Sequence, residues 1–164
     1  MNTACSLETT APNQQRWVIL RHDFPWLHWD LLLARPGIPA ATTWRLLRRP
    51  CCNEPIAAQA LPDHRLVYLD YEGPVSGGRG RVEQVDGGDW QELVPRDDSQ
   101  AAAAGSAVPC TRVLLRVQFC GSSHFSTGVL TCTPDGRLFW TLTAVLPDVV
   151  DEDQSPLVPT KNSC

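Results

Sequence analysis

The chain has four histidines, and two of them fall with an aspartate inside nine residues, "HDFPWLHWD", from His22 to Asp30. The spacing is His22-x5-His28-x-Asp30. His28 and Asp30 stand two apart in a run that reads as a strand, so both side chains project to one face. His22 sits where the preceding strand gives way to a loop, and that loop can bring its imidazole back over the same face. Two neutral imidazoles and a carboxylate suit a borderline divalent ion such as Mn²⁺, Zn²⁺ or Co²⁺. Three protein ligands leave positions open for water or a phosphate oxygen, as a catalytic site requires. The same spacing would also be met in a pair of hydrogen-bonded core histidines, so the nine residues alone leave both readings open.

A second constellation follows, "DHRLVYLDYEGPVSGGRGRV", from Asp63 to Val82. It supplies a third histidine, His64, then Tyr68, Asp70, Tyr71 and Glu72, and then a glycine-rich basic loop. Gly77, Gly78 and Gly80 allow close backbone approach to an anion, and Arg79 and Arg81 flank Gly80. Asp70 and Glu72 are either carboxylates that orient a histidine or solvated surface groups. Taken alone, the glycine-rich stretch also reads as a hairpin with a tight turn.

Together, in this order, the two segments resemble the 3′-phosphoesterase domain of bacterial DNA ligase D. The resemblance covers about residues 16–93 and, more loosely, 110–145. It is carried by H-x5-H-x-D with Leu before the second His, by the strand–turn–Trp-strand run "LLLARPGIPAATTW", by "DHRLVYLDYEG" and by the glycine-rich "PVSGGRG". The resemblance implies a compact β-barrel with a concave active site that removes 3′-phosphates and 3′-terminal ribonucleotides from primer–template ends in DNA repair. It implies Mn²⁺ first among the candidate ions, with His22, His28 and Asp30 as metal ligands. His64 would be the phosphate-contacting catalytic histidine and Tyr68 its supporting active-site residue. The partners implied are DNA or RNA–DNA 3′ ends, and a separate ligase or polymerase. Two positions depart from the pattern. Leu32 stands where such domains carry an arginine two residues after the metal-binding Asp, and a second arginine would fall, by spacing, at Ile56. Arg79 and Arg21 are then the candidate phosphate-binding cations. Loss of such a clamp opens two further readings: a non-catalytic module that binds DNA ends or repair partners, and a phosphoesterase for a small phosphoester.

These residues need a scaffold of strands. "RWVILR" (16–21), "LHWDLLLAR" (27–35) and "ATTWRLL" (41–47) read as strands, the last two paired across the Pro36-Gly37 turn. The prolines at 50, 55 and 62 argue for loop or edge structure over 48–64. Residues 65–73 fit either a strand or a short helical turn. Residues 77–93 read as two strands around "DGG". Three more strands are expected over 110–119, 124–133 and 137–145, with Leu138, Trp140, Leu142 and Ala144 on one face of the last. The expected fold is all-β, a compact barrel of about eight strands with little helix. A single domain is expected over 16–146, with a flexible insert at 94–109 and disordered tails at 1–15 and 147–164.

Composition excludes little else. The 164 residues carry a net charge of −4, so bulk charge does not announce a nucleic-acid binder. Thirteen of the 14 basic residues are arginine, the better bidentate phosphate ligand, although a GC-rich genome produces the same bias. Seven cysteines without a C-x-x-C pair read as reduced thiols. No apolar run approaches the roughly 18 residues of a membrane span, and residues 1–15 lack a signal-peptide pattern. The expectation is a cytoplasmic monomer without membrane contact.

Overall fold

The computed structural model describes residues 15–93 and 111–145. The expected insert and tails fall outside the described residues, apart from Gln15. The described chain is almost wholly β. Its strands are β1 (Arg16–His22), β2 (His28–Leu33), β3 (Ala40–Leu46), β4 (Pro55–Arg65), the two-residue β5 (Gly73–Pro74), β6 (Arg81–Glu92), β7 (Arg112–Cys120), β8 (Phe125–Cys132) and β9 (Leu138–Ala144). A 3₁₀ turn over Leu66–Leu69 is the one helical element among the described residues, and no helix there is long and apolar enough to cross a membrane.

The strands run antiparallel in the order β1-β2-β3-β4-β9-β8-β7-β6-β5, and β1 also pairs with β6. That last pairing closes eight strands into a ring, with β5 attached outside it on β6. The expected all-β barrel is therefore the observed architecture.

Strand alternation sorts the apolar residues into two layers. Trp17, Ile19, Leu31, Leu33, Trp44, Leu46, Ile56, Trp90, Phe119, Trp140 and Leu142 come from strands all around the ring and pack as one cluster that fills the lumen. Val18, Leu20, Leu32, Ala34, Ala41 and Val82 take the opposite faces, and Leu69 and Val75 cover them from the connection between β4 and β6. β1 and β2 are thus buried on both faces, and β2 is a nearly continuous apolar run after Asp30 for that reason.

Two readings of the sequence are corrected. Residues 55–65 form a full strand despite Pro55 and Pro62. Pro55 is the first residue of β4, and Pro62 lies where the β3–β4 register shifts, between the Thr43–Leu61 and Ala41–His64 pairs. Its missing N–H costs no ladder bond there. Beyond Ala58, β4 has no partner on the β9 side, so the edge half of the expectation holds. Residues 81–92 form one strand, not a hairpin around "DGG". Gly87 and Gly88 let β6 pass between two neighbours, since a Cβ at Gly88 would collide with the Cys120 carbonyl and one at Gly87 would press on the Trp17 carbonyl.

Candidate metal centre

The outer faces of β1, β2, β3 and β4, together with the 3₁₀ turn and the loop at 75–80, enclose an open cleft of about 730 Å³. It lies on the barrel wall, because the lumen is filled by tryptophans. His22, Asp30, Arg45, His64, Arg65, Tyr68 and Arg79 are among its lining residues. Their placement follows from register. His22 and His28 are Cα partners across β1 and β2, and Asp30 pairs with Leu20 one alternation along. The side chains of His22, His28 and Asp30 therefore fall on one face, and their potential ligand atoms all lie within 4.8 Å of one another. The two imidazole centroids are 4.8 Å apart.

With both rings neutral, as metal ligation needs, the hydrogen bonds define the tautomers. His28 donates Nδ1–H to the Trp26 carbonyl at 2.7 Å. Its Nε2 then carries a lone pair, and this atom lies 3.4 Å from Asp30 Oδ2. His22 donates Nε2–H to the Arg79 carbonyl at 2.7 Å, which leaves Nδ1 with the lone pair. Anchoring one ring N–H on a carbonyl is the usual way a ligand histidine is oriented. His28 and Asp30 are 2% and 4% exposed, yet His28 Nε2 and Asp30 Oδ1 have no hydrogen-bond partner. A buried polar atom left unpaired costs on the order of 1–3 kcal/mol, so the bare His28 Nε2 needs a reason, whereas Asp30 Oδ1 has the Arg45 guanidinium opposite it. A divalent cation would satisfy that nitrogen, and the donor set has the right chemistry for one.

His64 enters the cleft from the end of β4, brought round by the shift at Pro62, and donates Nδ1–H to the Pro62 carbonyl at 3.0 Å. Its other nitrogen is free. Tyr68 stands edge-on to it with centroids 6.0 Å apart, and the Arg65 guanidinium lies 5.5 Å over the Tyr68 ring.

The remaining sequence candidates separate. Arg79 lines the cleft, but its guanidinium donates to the Ser76 carbonyl and hydroxyl. Arg21 does not line it: neighbouring residues on a strand project to opposite faces, and Arg21 pairs with Glu83 at 3.1 Å. Asp70 forms a two-pronged ion pair with Arg16, at 2.6 and 2.8 Å, and Glu72 accepts from the Gln84 backbone N–H. Neither carboxylate bonds a histidine. Arg16 holds the Asp70 carboxyl below its ordinary value against a smaller opposing effect of burial. The glycine-rich loop serves the protein's own backbone: Gly77, Gly78 and Gly80 have positive φ, and a Cβ on Gly80 would collide with Asp23 and Phe24. Leu32 is fully buried in the outer apolar layer, and Ile56 faces the lumen.

Sequence reasoning missed Arg45. It is the Cα partner of Asp30 across β2 and β3, and its Nε lies 3.7 Å from Asp30 Oδ1. The one signal in the sequence is the pairing of strands around the Pro36-Gly37 turn, and the register that sets Arg45 opposite Asp30 is decided by packing beyond that turn.

No protein-family model matches the chain, and no curated protein matches it significantly.

Proposed function

We propose that the protein is a divalent-metal-dependent phosphoesterase that acts on 3′ ends of nucleic acid and prepares them for a separate ligase or polymerase. The observation that carries this reading is the sharing of one cleft by the His22–His28–Asp30 cluster and His64. The ordered likeness of "HDFPWLHWD" and "DHRLVYLDYEG" to the ligase D phosphoesterase domain points the same way. A bound divalent ion, Mn²⁺ first and Zn²⁺ or Co²⁺ next, would supply Lewis acidity toward a phosphate oxygen and acidify a bound water.

The chain's own residues do the rest. His22 and His28 keep their anchored N–H groups on Arg79 and Trp26 and offer the opposite nitrogens. His64, when protonated, keeps Nδ1–H on Pro62 and presents Nε2–H to a phosphoryl or leaving oxygen. Tyr68 packs against the His64 ring and limits its rotation. Arg45, Arg65 and Arg79 place three cations around the cleft, opposed by Asp30 and Asp63, so the local balance favours an anion although the whole chain is acidic.

The test is an Mn²⁺-supplemented assay on a 3′-phosphate and on a 3′-ribonucleotide primer–template. Release of phosphate or nucleoside is expected, falling about 100-fold or more in His22→Ala and His28→Ala. Mn²⁺ should also raise the melting temperature of the wild type, since an ion held only by the folded state stabilises by about 2.7 kcal/mol at 100 times its Kd. Mn²⁺ binding without release from either substrate would sink the 3′-end phosphoesterase reading. End binding without turnover would then support the second reading, a DNA-end or repair-partner module, which the apolar burial of Leu32 favours.

A further inference from the structure

Arg45 lies in an unusual position for a cation. It shares the outer face of the barrel with Asp30 on the neighbouring strand, and its side chain is largely withdrawn from solvent. Its Nε is buried and has no hydrogen-bond partner, and neither does the Asp30 Oδ1 that faces it at 3.7 Å. That separation is too long for a hydrogen bond, so Arg45 and Asp30 form an ion pair without one. The guanidinium centre sits 5.8 Å from the ring of Trp26, an exposed indole on the loop between His22 and His28. The other two arginines of the cleft are engaged, Arg79 with Ser76 and Arg65 with the Tyr68 hydroxyl. A buried donor such as Arg45 Nε, held in place without a hydrogen bond, is ready for an acceptor that is not part of the chain.

Asp30 fixes where that acceptor would lie. Its Oδ2 faces His28 Nε2 and its Oδ1 faces Arg45. One carboxylate therefore stands between the metal cluster and the guanidinium. An anion ligated at the cluster arrives beside Arg45, whose planar fork matches two oxygens of a tetrahedral oxyanion. We infer that Arg45 is the anion-holding cation of this site: a phosphate group sits between the His22–His28–Asp30 cluster and the Arg45 guanidinium, which takes its non-bridging oxygens. This rests on the metal reading of the cluster.

The probe is inorganic phosphate, titrated into the full chain with and without Mn²⁺. Free Mn²⁺ is followed by electron paramagnetic resonance, and bound phosphate by the Mn²⁺-induced broadening of its phosphorus resonance. Arg45→Gln should hold Mn²⁺ within about threefold of wild type and bind phosphate about tenfold or more weakly, the size expected for a lost charge-assisted contact. Arg48→Gln removes the same charge from the ion pair with Glu54, outside the cleft, and should leave phosphate affinity within about threefold. Arg45→Met, whose stem leaves no polar group to bury, replaces the Gln variant if that one does not fold. Phosphate binding in the Arg45 variant as tight as in wild type overturns the inference and leaves the metal centre standing. An equal loss in Arg48→Gln overturns it too, because bulk charge would then suffice. A wild type that holds no Mn²⁺ overturns the metal reading and this inference with it.

Discussion

Three histidines in this protein follow one rule. His22, His28 and His64 each give one ring N–H to a backbone carbonyl, of Arg79, Trp26 and Pro62 respectively, and keep the other nitrogen available. The fourth, His124, instead stands beside Asp86 at 3.3 Å and is exposed. Asp86 shows what a satisfied buried carboxylate looks like, in contrast to Asp30. Burial opposes its ionisation, but bonds from the Ser122 hydroxyl and the backbone N–H groups of Ser123, Gly87 and His124 outweigh that and hold its carboxyl below the ordinary 3.8. A carboxyl lowered in the folded state contributes stability above its unfolded pKa and loses it as pH falls through the folded value. Urea unfolding followed from pH 6 to pH 2 should therefore show an acid-side loss below about pH 4 that is smaller in Asp86→Asn, measured relative to each protein's stability at pH 6. An identical acid limb in the two proteins would remove Asp86 from that role. The facing of His28 and Asp30 was legible from their spacing, and the exclusion of Arg21 from the cleft follows from the same alternation. Arg45 was harder to find, because its place opposite Asp30 depends on the register of another strand.

At the scale of elements, the cleft is shaped by irregularities in otherwise regular strands. The register shift at Pro62 turns the end of β4 so that His64 joins the cluster's face. The loop from Asp23 to Leu27 crosses the mouth of β1 and β2 and is tied to the glycine-rich loop, since the Arg81 backbone N–H donates to Asp23 Oδ1 at 2.7 Å. Gly80 permits that contact. It has φ +71, and any Cβ would meet both Asp23 and Phe24. Gly80→Ala should destabilise the fold by about 1–3 kcal/mol in urea titrations and weaken Mn²⁺ binding, because His22 rests on the carbonyl of the adjacent Arg79. Unchanged stability and metal affinity would show that the two loops are not coupled in this way. The glycines were visible in the sequence as a turn. Their partner was not, because Asp23 is far away along the chain and meets them only once β1 and β6 pair.

At the scale of the whole molecule, the described residues form a closed barrel with a filled lumen and a second apolar layer on one side of its wall. Trp140 and Leu142 on β9 are fully buried in the lumen, while Leu69 and Val75 lie over the outer faces of β1 and β2. Deleting lumen volume should act on the barrel as a unit. Leu142→Ala is expected to lower the unfolding free energy by about 2–5 kcal/mol in one cooperative transition, with Mn²⁺ affinity held within about threefold. A biphasic transition, in which the site melts separately, would contradict a shared core. By itself the sequence determined the strands of β1–β3 and β7–β9, the turns between them, the all-β class, and the common face of His28 and Asp30. Those features depend on local turn chemistry and period-two alternation, which neighbouring residues express directly. Only the tertiary structure decided that β1 closes onto β6, that the cluster faces the outer cleft and not the lumen, and that Arg45 stands against Asp30. The physical reason is that β1 and β2 are apolar on both faces, so alternation says which residues share a face but not which face turns inward. Ring closure and register are long-range pairings, set by how all the strands pack together.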